Sequence, residues 1–185
     1  MERYTYPHTI ENGGGERLTF LRRVSGPTGD RLEVQNWVSP RVGPPLHTHH
    51  YQIESLTVVR GRIGYQRQGA PAQYAGPGET VTFLAGESHR FWNAGEDELH
   101  CTGYVEPPDS VEYFLTELFA STKRNGGTRP DPFDIAYLVT RYRDEFSLQA
   151  IPAAVQRVMF PLQIAIGRLL GKYARYADAP DPLRR

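Results

Sequence analysis

The sequence predicts a mainly β fold followed by a helical extension. Three observations carry this reading. Short apolar runs of period two recur from residue 16 to about residue 106, Gly/Pro turn signals separate them, and the period shifts to about 3.6 after Pro107-Pro108. Many short strands with regular turn punctuation argue for an antiparallel sandwich or barrel.

The strands read in order as follows. Residues 18–21 are one apolar run. Residues 31–38 alternate, with Leu32, Val34 and Asn36 on one face. Residues 54–59 end at Arg60-Gly61, after which Ile63 and Tyr65 alternate again. Residues 80–84 and 99–105 complete the set, with turns at Gly43-Pro44-Pro45, Gly69-Ala70-Pro71, Gly76-Pro77-Gly78 and Gly86. Beyond residue 108, Asp109-Ser110-Val111-Glu112 is a variant of the N-terminal capping box. It is followed by Val111, Phe114, Leu115, Leu118 and Phe119 at helical spacing, and Gly126-Gly127 ends the segment. Asp131-Pro132 reads as an N-cap with proline in the first turn, and Ile135, Leu138, Val139, Tyr142 and Phe146 form the stripe of a second helix. A third helical pattern starts near Ile151-Pro152, and Pro161 is expected to kink or interrupt it. The expected organisation is a β domain over 1–108 with a loose N-terminus, two to three helices over 109–176, and a loose tail over 177–185.

Composition removes several function classes. The 185 residues carry 21 Lys+Arg and 21 Asp+Glu, so no net charge draws the chain to nucleic acid. The single cysteine, Cys101, excludes an internal disulfide, a Cys-rich zinc site and an iron–sulfur cluster. The first residues lack an apolar signal core, and no long uncharged apolar window reads as a membrane span, so a cytoplasmic protein is the expectation. Residues 151–171 hold only two charges, Arg157 and Arg168. They read as a helix packed on the β domain or across a homodimer interface, with contact to a membrane surface as the other reading.

Histidines carry the chemistry. His47 and His49 are two apart, so on an extended segment both imidazoles point to the same side, while His50 points away. Glu54 adds a carboxylate just beyond, and His89 comes from a distant segment. Three imidazoles and one carboxylate suit a divalent first-row metal. Gln52 could orient a ligand or serve as a polar turn residue, and Arg60 and Arg90 read as solvated charges rather than anion-binding groups. Gln52, Tyr65, Phe83 and Phe91 are the candidates to contact a substrate, although core packing explains most aromatics.

The spacing His47-x-His49-x4-Glu54-x6-Gly61, followed by Gly78-x5-Leu84-x-Gly86-x2-His89-x3-Asn93, resembles the two motifs of the cupin superfamily. Two departures stand out: Gly43 lies three residues before the His pair rather than five, and Leu84 replaces the usual proline. Neither falls on a ligand position. The resemblance covers residues 17–106, and the pattern is similar to small bacterial single-domain cupins with a helical C-terminal tail. It implies a single antiparallel β-barrel of cupin (jelly-roll) type, with one Fe, Mn, Ni, Cu or Zn ion held by His47, His49, Glu54 and His89. It also implies either a metal-dependent oxygenase or isomerase acting on a small organic molecule, or a non-catalytic binding or sensing module. In the enzyme reading Glu54 is either a ligand or a carboxylate for proton transfer. Cupin barrels are often homodimers, which the same resemblance implies here.

Overall fold

A computed structural model describes residues 3–26 and 29–183. The strands are β1 (His8–Glu11), β2 (Glu16–Gly26), β3 (Gly29–Val38), β4 (His47–His49), β5 (Ile53–Arg60), β6 (Ile63–Arg67), β7 (Gln73–Ala75), β8 (Thr80–Phe83), β9 (Ser88–Asn93), β10 (Leu99–Glu106) and β11 (Phe146–Leu148). The helices are α1 (Val111–Arg124), α2 (Pro132–Arg141) and α3 (Ala153–Leu169). The strands form two antiparallel sheets, ordered β1-β2-β3-β10-β5-β8 and β11-β4-β9-β6-β7. Among the described residues no ladder joins the two sheets into a closed barrel.

Alternation decides which face of each strand is buried. Leu32, Val34, Asn36 and Val38 are all buried along β3, as their spacing predicts. Val38, Leu56, Val58, Val81, Leu99 and Cys101 from the first sheet pack with Ile63, Ala75 and Phe91 from the second, so the sheets share one apolar interior. Farther along, Leu18, Phe20, Leu32, Val34 and Val105 pack against the helices, through Phe114, Leu138, Tyr142 and Phe146. The helical extension therefore closes one end of the sandwich. Burial pushes the Cys101 thiol up to about 12, leaving it an inert apolar filler.

Local signals set the helix ends with one exception. Asp131 caps α2 by accepting from the Phe133 N–H at 2.8 Å, with Pro132 in the first turn. Gly126 and Gly127 follow α1 with φ of 85° and 79°, values glycine adopts without Cβ strain. The capping box at α1 does not form. Ser110 makes no side-chain cap bond, and Glu112 turns away to accept from the Tyr6 hydroxyl at 2.8 Å and to meet His8 at 3.1 Å. A long-range partner wins over the local one because Glu112 is fully buried and needs donors there. α3 continues through Pro161.

Both chain ends are better anchored than the sequence suggests. Residues 8–11 form β1, an edge strand on β2. In the tail, Tyr142 Oη donates to the Pro180 carbonyl at 2.9 Å and Arg141 Nη2 donates to the Ala179 carbonyl at 3.0 Å. The outermost residues, 1, 2, 184 and 185, lie outside the described set. Phe146 is not on the second helix. α2 stops at Arg141, and residues 146–148 pair with β4, so the helical extension adds a strand to the second sheet.

Candidate metal centre

β4 and β9 pair antiparallel with His47 directly opposite His89, which brings two distant sequence segments together. Their rings lie 4.5 Å apart between centroids. His49, two residues on, shares the face of His47. Glu54 enters from β5 of the other sheet. Each of the four residues offers one donor atom, and these atoms all lie within 4.8 Å of one another. The three Nε2 atoms converge on one carboxylate oxygen: Glu54 Oε2 is 3.0 Å from His89, 3.7 Å from His49 and 3.9 Å from His47.

Backbone and core fix this geometry. The Gly86 N–H donates to the His49 carbonyl at 2.8 Å, tying the turn before β9 to β4, and Gly86 has φ of 81°. Gly43 passes so close to β9 that an added Cβ would lie 2.1 Å from the Phe91 carbonyl oxygen. Thr48 and Ser88 hydroxyls meet at 2.7 Å across the same ladder. His47 Nδ1 sits 2.8 Å from the Pro45 carbonyl and His89 Nδ1 sits 3.0 Å from that of Glu87. A carbonyl only accepts, so each Nδ1 carries the proton and each Nε2 presents its lone pair to the centre. Such outer contacts orient imidazole ligands.

The donor set suits a cation. With the proton of His89 on Nδ1, its Nε2 and Glu54 Oε2 are two acceptors only 3.0 Å apart. A shared cation, proton or metal ion, has to lie between them. Electrostatics favour the ligand-ready state. Burial pulls His49 down to about 3, with Glu54 opposing and His47 and His89 adding to the fall. Burial also lowers His47, and its neighbour His89 adds to the fall. Burial alone would raise Glu54, but the His89 hydrogen bond and the three imidazoles outweigh it and hold the carboxyl at about 2. At neutral pH the carboxylate is ionised while His47 and His49 are neutral.

These shifts fix a pH dependence. Between about 3 and 6.5 the unfolded chain protonates His49 while the folded chain does not, and between about 2 and 4.5 the same holds for Glu54. Stability from both therefore falls as pH drops through those windows. Glu16 acts in the opposite sense. Burial raises it to about 7, so its contribution is lost as pH rises from 4.5 to about 7. In metal-free Glu16→Gln, the urea midpoint should decline steadily from pH 6.5 to pH 3, and a flat profile would contradict the assignment.

The other candidates sit in different places. Phe83 is fully buried and stacks on His89, with centroids 3.8 Å apart and planes 3° apart. Phe91 is buried in the core shared by the sheets. Tyr65 is half-buried and edge-on to Phe83 at 6.1 Å. Gln52 is fully buried and donates to Asp109 Oδ2 at 3.0 Å. His50 does not join the cluster, and His100 stacks on Trp37 instead. Sequence reasoning missed Phe146, whose ring meets His49 edge-on at 5.4 Å and stacks on Phe114 at 4.7 Å. The charged run Arg143-Asp144-Glu145, which breaks the helical stripe just before it, was the available signal.

Residues 38–104 match the family model of the cupin domain. The chain thus carries a cupin domain over that segment. The chain is 30% identical over 118 residues to the probable oxidoreductase patJ of Penicillium expansum, a match covering 63% of this chain and 32% of that protein. It is 28% identical over 106 residues to the epoxidase atD of Aspergillus terreus, covering 56% of this chain and 33% of that protein. The chain thus spans about a third of the length of the curated relatives it matches. Among solved structures, a double-stranded β-helix protein from Klebsiella pneumoniae superposes with a TM-score of 0.43 at 17% identity, covering 57% of this chain and 82% of that one.

Proposed function

We propose that this chain is a metal-dependent enzyme that oxidises a small organic molecule at a centre formed by His47, His49, Glu54 and His89. The observation that carries the reading is the convergence of three imidazoles and the Glu54 carboxylate, whose donor atoms all lie within 4.8 Å of one another. A bound divalent first-row ion supplies Lewis acidity there and, if redox-active, electron transfer to or from a substrate or dioxygen. The names of the relatives, an oxidoreductase and an epoxidase, agree with oxidative chemistry.

The chain's own residues set up such a reaction in three ways. The Pro45 and Glu87 carbonyls hold the His47 and His89 tautomers. Phe83 and Phe146 exclude water from the backs of the His89 and His49 rings. The side chains of His47 and Glu54 keep 16% and 14% exposure while His89 keeps 1%, so substrate reaches the centre from the side of His47 and Glu54. Tyr65, edge-on to Phe83 and opposite Phe91 in the β6–β9 ladder, is the aromatic this reading assigns to an organic substrate. A single closed barrel is part of this reading. The β domain of 1–108 supplies the ligands and the helical extension of 109–176 covers that end.

One observation favours a second reading, a binding module without turnover. Glu54 is engaged by His89, and no other carboxylate joins the cluster among the described residues, so no free general base is present. Metal analysis of the purified chain, followed by oxygen uptake with a panel of phenols and diketones, separates the two. Bound metal with substrate-dependent uptake is expected. Bound metal without uptake or other turnover supports the binding module. A chain that takes up none of Mn, Fe, Ni, Cu or Zn overturns both.

A further inference from the structure

The surface of α3 carries an apolar stripe that its own chain leaves bare. Val155, Met159, Leu162, Ile166 and Leu169 are all exposed, with Leu162 at 54% and Leu169 at 87%. Their spacing is 4, 3, 4, 3, which is the seam pattern of two helices packed along their length. Val158, exposed at 67%, widens the stripe. α3 is already secured through its opposite side. Phe160 and Gly167 are buried, and the Tyr173 hydroxyl reaches the Phe133 and Gln163 carbonyls at 3.3 and 3.4 Å. The stripe is therefore not needed to hold α3 on its own fold.

We infer that this stripe is a self-association surface, on which α3 of a second copy of the chain packs. Area and charge both point to a second copy. Full cover of the exposed area of these six residues would bury at most about 600 Å² per copy, or about 1,200 Å² for a pair, where specific interfaces begin. A two-fold arrangement buries the same patch on both copies and so leaves no apolar remainder. Arg157 and Arg168 are the only charges on α3, and helical geometry puts them about 150° around the axis from the stripe. Two copies thus meet through a neutral seam without like-charge repulsion. An anionic membrane, the other surface that could cover an apolar helix, would gain little from arginines facing away from it.

The test is sedimentation equilibrium on the intact chain at micromolar concentration. A mass of twice 20.9 kDa is expected. The double variant Leu162→Glu, Leu169→Glu should sediment as a monomer with an unchanged far-ultraviolet spectrum. Leu162→Cys should form a disulfide-linked dimer under mild oxidation, because the native Cys101 is buried, while the exposed control Leu84→Cys should not. The cross-link reads the interface even if the charged variant fails to fold. A monomeric wild type, a dimer that survives the two glutamates with its fold intact, or a Leu162→Cys protein that cross-links no better than the control would overturn the inference. So would a monomer that co-sediments with phosphatidylglycerol vesicles and loses that binding in the double variant. None of these readouts depends on turnover at the metal centre.

Discussion

Stripping metal from the protein should lower its melting temperature by about 8–16 °C, and His89→Ala should abolish the difference. The size follows from mass action. A ligand at about a thousand times its dissociation constant adds about 4 kcal/mol to the folded state. For a chain of this length each kcal/mol is worth about 2–4 °C. His89→Ala acts twice. It removes one of four donors, and it takes away the imidazole that shares a cation with the Glu54 carboxylate across 3.0 Å. An ionised group left buried without a partner costs about 1–3 kcal/mol or more, so the metal-free variant should melt below the metal-free parent. His47→Ala and His49→Ala should each lose metal as well. His50→Ala should retain it, since that side chain does not join the cluster. Calorimetry with and without chelator, beside elemental analysis, reads all of these. Retention of metal by His89→Ala, or its loss in His50→Ala alone, would place the centre elsewhere.

The parts of this arrangement that depend on period and spacing were legible in the sequence. The two-residue step from His47 to His49 fixes a shared face on any extended segment, and the motif spacing brings Glu54 and His89 into the set. Alternation along residues 31–38 gave the buried face of β3 without tertiary knowledge. What stayed hidden depends on long-range partners. Glu112 fits a capping box locally, but buried donors from Tyr6 and His8 decide where it points. Phe146 continues a helical stripe by spacing, yet a ladder with β4 takes it into the sheet. The carbonyls of Pro45 and Glu87 that set the histidine tautomers are backbone atoms, and no residue identity announces them. Both chain ends looked loose because the groups that tie them, Glu112 and Tyr142, lie far away in sequence.

Phe83 is the residue where packing and metal chemistry meet, and its substitution should separate a supporting role from a substrate-lining one. It lies on β8 opposite Glu54 of β5, while its ring stacks on His89 of the other sheet. One side chain thus spans both sheets and contacts a ligand ring face to face. Phe83→Ala should cost about 3–5 kcal/mol, because a fully buried ring is deleted from a core that relaxes only in part. Native stabilities of about 5–15 kcal/mol make that variant marginal, so Phe83→Leu is the more informative change. Leucine keeps most of the apolar volume at a cost of about 1.5 kcal/mol or less, but it offers no flat surface to the imidazole. Loss of a hydrogen-bonding outer partner lowers metal affinity by about 10- to 100-fold, and loss of the stacked ring should act in the same direction within that bound. The expectation for Phe83→Leu is a folded protein with weaker metal binding in a competition titration. If metal affinity stays at the parental value while only the response to organic substrates changes, the ring lines a pocket rather than bracing His89. If neither changes, the stacking at 3.8 Å contributes packing alone, and the hold on His89 rests on its Nδ1–H bond to the Glu87 carbonyl.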